Sequence, residues 1–196
     1  MYDNYLIESI EMGDITVNIK YDSFPCDPRE WDNLATLVLF HPKYNLGDKD
    51  HRYTIDNYTS WDELYNEIVE NENPAVIVPV SMYEHSGIMI RTGIPSQFID
   101  YRWDAMYIGF AFITRNTVKQ EYGWININKA RRDKLESIID AEVNTYSEYV
   151  NGEVFAFEIF DNEIDDVVDS CYGFYGFEYC KREALDSANS LVKQEA

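Results

Sequence analysis

Apolar and polar residues alternate over positions 15–21, with Ile15, Val17, Ile19 and Tyr21 on one side, which predicts a half-buried strand. Residues 34–41 form a short apolar run that predicts a buried strand, and residues 42–58 are turn-rich with no regular period. Ser60 and Glu63 make a capping box for a helix to about residue 71, with Trp61, Leu64, Tyr65 and Ile68 on one face and Pro74 ending it. Residues 75–83 read as a strand in which Pro79 requires a bulge or an edge. A turn at 84–87, a returning strand at 88–92, a loop at 93–102 and the most apolar strand, 106–113, follow. Thr114 caps a short helix that Gly123 stops, and Asn128 caps a long one to about Val150. Its inner face is Leu135, Ile138, Ile139, Val143, Tyr146 and Val150. Glu142 falls inside that stripe and needs a cationic partner, for which Arg131 or Arg132 is the candidate. Strands at 153–160 and 165–170, an aromatic turn at 171–177 and a helix at 178–192 complete the chain. Helices punctuating mostly antiparallel strands predict an α+β fold: a single acidic domain over residues 1–196, three to four helices packed on a sheet.

Charge adds the feature that the pattern alone does not carry. The 196 residues hold 36 acids and 16 bases, a net charge of −20, and residues 135–180 contain twelve acids and no Lys, Arg or His. A content of 45% hydrophobic residues with 16 tyrosines is too apolar for a disordered acidic tail, so this is a folded surface of one sign. Such a surface repels nucleic acid and anionic membranes, which excludes both as direct partners and favours a basic protein. Solubility is the plain alternative. Three cysteines without a CxxC pair, no signal-type N-terminus and no long apolar run predict a cytoplasmic protein with reduced thiols.

Motifs for chemistry are sparse. His41, His51 and His85 combined with Asp48, Asp50 or Asp104 offer metal-type donors, but none has the spacing that puts two ligands on one helical face, so no metal or cofactor is expected. Ser86 beside His85 lacks a nucleophile elbow, and there is no Walker or dinucleotide-binding glycine motif. A polar set, Arg29, Asp32, His41, Asn45, Asp48, His85 and Asp104, would form an enzyme or small-ligand pocket if those segments converge. The acidic set is the stronger signal: Glu136, Asp140, Glu148, Glu153, Glu158, Asp161, Glu163, Asp165, Asp166, Asp169 and Glu178, with Tyr172, Phe174 and Tyr175 as aromatic anchors. Acids one helical turn apart lie roughly 6 Å apart, a spacing compatible with imitating a run of phosphates.

Several passages taken together resemble a known group. They are Pro28-Arg-Glu-Trp-Asp-Asn-Leu34, His41 with Tyr44-Asn-Leu-Gly-Asp48, Val78-Pro-Val-Ser-Met-Tyr-Glu-His-Ser-Gly87, Trp103-Asp104 with Ile108-Gly109, and Glu121-Tyr-Gly123. Tyr146-Ser-Glu-Tyr-Val-Asn-Gly-Glu-Val154 and Asp169-Ser-Cys-Tyr-Gly-Phe-Tyr-Gly176 continue the series. In that order, over roughly residues 14 to 190, the chain resembles a family of small uncharacterised proteins of bacteriophages, prophages and mobile elements. It departs in a longer loop at 93–102 and in Tyr172 where tryptophan is commoner. The resemblance implies context rather than chemistry: small acidic phage proteins often inhibit host defence, including restriction and CRISPR machinery, some of them as DNA mimics. The expectation is therefore a non-enzymatic inhibitor in the host bacterial cytosol that binds a basic, nucleic-acid-handling defence protein. The alternatives are an enzyme or ligand binder using the polar set, and a homo-oligomer built through the aromatic turn.

Overall fold

The computed structural model describes residues 5–84, 87–97 and 105–194. Among them the chain is α+β, with two four-stranded antiparallel sheets and four helices. It divides into two compact units, the first made of residues 1–27 and 148–196 and the second of residues 28–147.

In the first unit, β1 (Leu6–Met12), β2 (Ile15–Tyr21), β7 (Val154–Asp161) and β8 (Asp166–Tyr175) pair in the order β1-β2-β7-β8. The alternation read at 15–21 puts Ile15, Val17 and Ile19 into the core with Phe155, Phe157 and Ile159. The helix α4 (Phe177–Gln194) covers that face with Cys180, Ala184 and Ala188, four residues apart, whose small side chains let it lie close to the sheet. β1 was not expected. Its alternation is broken by Glu8, whose carboxylate accepts from Lys181 Nζ at 2.7 Å across 173 residues of chain. The aromatic turn is also corrected. Residues 171–175 continue β8, and only Gly176 separates strand from helix. The ladder is bulged opposite Phe155 and Phe157, beside Gly173 at φ +81°, a conformation glycine adopts freely.

In the second unit, β3 (Thr36–Leu39), β4 (Pro74–Glu84), β5 (Ile88–Thr92) and β6 (Ala105–Thr114) form a sheet in the order β3-β6-β4-β5. Adjacent Leu37 and Val38 point to opposite faces and are both fully buried, so both faces of this sheet are covered. On one side α1 (Trp61–Glu72) packs Leu64 and Ile68 against Val38, Phe110 and Phe112. Its N-terminus is capped by Ser60, which accepts from the Glu63 N–H, while the Glu63 carboxylate accepts from the Thr59 N–H at 2.8 Å. Thr114 caps α2 (Arg115–Tyr122), and Gly123 closes it in the left-handed conformation. Asn128 accepts from the Arg131 N–H at the start of α3 (Lys129–Val150), whose residues to Ser147 belong to this unit.

Pro79 lies in a central strand rather than at an edge. Its carbonyl accepts from the Gly93 N–H at 2.8 Å, just past the end of β5, so its missing N–H falls where the neighbouring ladder has stopped. The next residue, Val80, adjoins a register shift in the β4–β6 ladder. Opposite it sits Gly109, where an added Cβ would lie 2.1 Å from the Val38 carbonyl oxygen.

Candidate functional site

Two groups of residues carry the chemistry of the surface, one in each unit. In the first unit the β1–β2 and β7–β8 hairpins end side by side. Ile15 pairs with Asp161, and the Asn162 N–H donates to the Asp14 carbonyl at 2.8 Å. This register gathers Glu11 and Asp14 from one hairpin with Asp161, Glu163, Asp165 and Asp166 from the other. Asp161 is spent on the turn itself, accepting from the N–H groups of Glu163 and Ile164 at 2.8 and 3.2 Å. Asp165 takes a positive φ of 58°, which Asp tolerates better than most residues. None of the six carboxylates forms an ion pair among the described residues.

The other acidic positions are differently employed. Glu158, on β7, pairs with Lys20 and accepts from the Tyr172 hydroxyl at 2.8 Å. Burial works against its charge, but those two donors prevail and hold its pKa below the ordinary carboxylate value. Asp169 accepts from the Ser187 hydroxyl at 2.7 Å. Glu148 is half-buried, and burial first, then the charge of Glu153, raise its pKa. Glu153 and Glu178 are exposed. Glu136 and Asp140 belong to the second unit, where Glu136 pairs with Arg132 at 3.1 Å and Asp140 accepts from the Thr92 hydroxyl at 2.5 Å. On the long helix α3, Glu136 and Asp140 are thus engaged and Glu148 is half-buried, so these acids do not make an unengaged row.

Of the aromatic anchors, Tyr172 is 52% exposed. Tyr175 is half-buried and donates its hydroxyl to the Cys26 carbonyl at 2.5 Å. Phe174 is a correction: only 9% exposed, it packs against Phe157 with ring centres 5.5 Å apart and belongs to the core.

The polar set of the second unit splits in two. Arg29 and Asp48 meet each other rather than a ligand. The guanidinium Nε and Nη2 donate to the two Asp48 oxygens at 2.7 and 3.2 Å, Nη1 to Glu142 at 3.2 Å, and Nη2 also to the Ala35 carbonyl at 2.6 Å. Burial opposes the Arg29 charge, yet Asp48 and Glu142 outweigh it and hold its pKa above the ordinary value. The partner of Glu142 is therefore Arg29. Arg131 instead donates to the Asn126 carbonyl and lies over the Trp124 ring, and Arg132 pairs with Glu136. Asp32 is exposed, and His85 and Asp104 lie outside the described residues.

His41 and Asn45 do converge, on a cavity of about 330 Å³ between the end of β3 and the following loop. Leu39, Phe40, Pro42 and Leu46 line it from this segment, and Ile55, Trp61 and Met106 complete its apolar wall. Among the described residues no group of three or more His, Cys, Asp or Glu side chains is arranged to hold a metal ion. None of the described helices is long and apolar enough to cross a membrane. Comparison of the chain with protein-family models, curated proteins and solved structures gave no match.

Proposed function

We propose that this protein acts by binding: the first unit docks onto a basic, nucleic-acid-handling protein and blocks it, without catalysis. The observation that supports the reading best is the pair of hairpin ends, where six carboxylates meet with no cation paired to them among the described residues. That unit as a whole has 18 acids and 4 bases, against 18 and 12 in the second. Such a field speeds encounter with a positive cleft and suppresses encounter with nucleic acid itself. The setting, a host bacterial cytosol where phage-encoded proteins meet restriction and CRISPR machinery, rests on the family resemblance alone.

The test is capture from nuclease-treated bacterial lysate by the wild-type chain and by a variant with Asp161, Glu163, Asp165 and Asp166 all changed to Lys. A stoichiometric partner is expected with the wild type only, weakened by salt and displaced by added duplex DNA. Equal capture by the charge-reversed variant, with its circular dichroism unchanged, would sink the proposal.

A further inference from the structure

The cavity of the second unit has the attributes of a small-molecule site, and none of the acidic chemistry uses it. Its walls are held before any ligand arrives. The Phe40 N–H donates to the Ile108 carbonyl at 2.7 Å, which ties the strand end to β6. The Asp48 N–H returns to the Leu37 carbonyl at 2.9 Å, and the Gly47 N–H donates to the Tyr146 hydroxyl at 2.8 Å. Gly47 is required there: at φ +78°, a Cβ would sit 2.6 Å from the Leu37 carbonyl oxygen. Trp61 is braced edge-on against Tyr107, ring centres 4.9 Å apart. The loop from His41 to Asp48 is thus pinned at both ends, as expected of a largely pre-formed pocket.

Its polar groups are few and partly unspent. The His41 ring lies flat on Tyr44, centroids 4.8 Å apart at 16°, and Tyr44 is fixed by donating its hydroxyl to Glu84 at 2.7 Å. The His41 Nδ1 accepts from the Lys43 N–H at 3.2 Å, so in the neutral ring the proton sits on Nε2, a donor with no partner among the described residues. The Asn45 side-chain amide, donor and acceptor together, has no hydrogen bond among them either. Ile55 and Met106 leave apolar surface in water, at 40% and 38% exposure. Among the described residues that line it, none is an acid, Lys or Arg.

We propose that this cavity binds a small, neutral heteroaromatic molecule of one or two rings, covered by Phe40 and Trp61, with its heteroatom edge read by Asn45 and the His41 Nε2–H. The volume, at the lower end of the 300–1,000 Å³ common for ligand pockets, sets the size. A charged ligand would enter an apolar wall without a countercharge, which is costly. Aromatic walls with one polar corner favour a flat ring over a flexible chain.

Saturation-transfer NMR on the full chain tests this with benzimidazole as the probe and indene as its two-ring counterpart without a hydrogen-bonding edge. Benzimidazole is expected to bind, and indene to bind about tenfold more weakly, as loss of about one hydrogen bond implies. Asn45→Ala should weaken benzimidazole by a similar factor, and Ile55→Asp, which places a charge at the apolar wall, should abolish transfer. Both positions are exposed, so neither substitution threatens the fold. Absence of transfer from benzimidazole overturns the proposal. So does equal binding of benzimidazole and indene, or transfer undiminished in Ile55→Asp, which would locate binding elsewhere.

Discussion

Replacing Arg29 by Met should destabilise the second unit by about 3–5 kcal/mol, the loss expected when one member of a buried ion pair is removed and its partners stay behind. The guanidinium side chain is 6% exposed and faces Asp48 and Glu142, at 21% and 15%. Each carboxylate also organises backbone. Asp48 accepts from the Leu37 N–H at 2.9 Å, and Glu142 from the N–H groups of Leu34 and Ala35 at 2.9 and 3.2 Å. Without Arg29 two half-buried negative charges would be left with no countercharge, and the Ala35 carbonyl would lose its donor. Arg29→Lys keeps the charge but loses the two-pronged fit to Asp48, so its cost should fall between wild type and Met. The triple variant Arg29→Met, Asp48→Asn, Glu142→Gln should be more stable than Arg29→Met alone, because it removes the stranded charges while keeping acceptors for the backbone.

Urea unfolding followed by tryptophan fluorescence isolates this unit, since Trp31, Trp61 and Trp124 belong to it and residues 1–27 and 148–196 contain no tryptophan. With a denaturant slope of about 2 kcal/mol per molar, the Met variant should unfold at about 2 M less urea. A midpoint within about 0.3 M of wild type, or a Met variant no worse than Lys, would refute the reasoning. A separate transition by circular dichroism would mark the first unit unfolding on its own.

Glu148 supplies a pH dependence in the first unit. Burial, then Glu153, raise its pKa, so the folded state holds the proton more tightly than the unfolded chain. The associated stability is fully present below the ordinary carboxylate pKa and is lost as pH rises through the folded value. Glu148→Gln should therefore raise the melting temperature at pH 7 and give no advantage in acid, and thermal melts at both pH values check this. Cys180 is buried, and burial chiefly, with Cys171 second, pushes its thiol up to about 12, whereas Cys26 and Cys171 are exposed. A colorimetric disulfide reagent should titrate two thiols in the native protein and the third only in urea; three fast thiols would contradict the packing of α4.

What the sequence conveys well is whatever is local. The period-two run at 15–21, the capping box at Ser60 and Glu63, and the Thr114 cap with its Gly123 stop all form where their spacing predicts. Features that depend on distant residues are hidden. Glu8 spoils the alternation of β1 and is made acceptable only by Lys181, far along the chain. Glu142 is recognisable as a carboxylate in an apolar stripe, yet its partner is Arg29, 113 residues away, and not an arginine of its own helix. The glycines at 173 and 176 among aromatic residues imitate a turn, although Phe174 has a core position to fill. The candidate pocket was half legible. His41 and Asn45 share a loop and a cavity, while Arg29 and Asp48, with the same polar character, are consumed in holding that loop in place.

The distribution of charge bears on why it is there. If solubility were the whole reason, the excess of acid would be shared between the two units in proportion to their surface. Instead both units have 18 acids, and the difference lies in the bases, 4 in the first and 12 in the second. Among the first unit's bases, Lys20, Lys181 and Arg182 pair with Glu158, Glu8 and Glu183. Their charge is thus offset locally, and the carboxylates at the hairpin ends stand apart from it. Self-repulsion among such groups destabilises a compact state. Here all of the repelling groups but the half-buried Asp161 are exposed near the hairpin ends, where water and salt screen them, above a core of Val17, Ile19, Phe157 and Ile159 that contains no charge. The fold thus tolerates a field confined to one unit's edge. A field that persists after Lys20, Lys181 and Arg182 are engaged is better suited to meeting an external cation than to balancing an internal one.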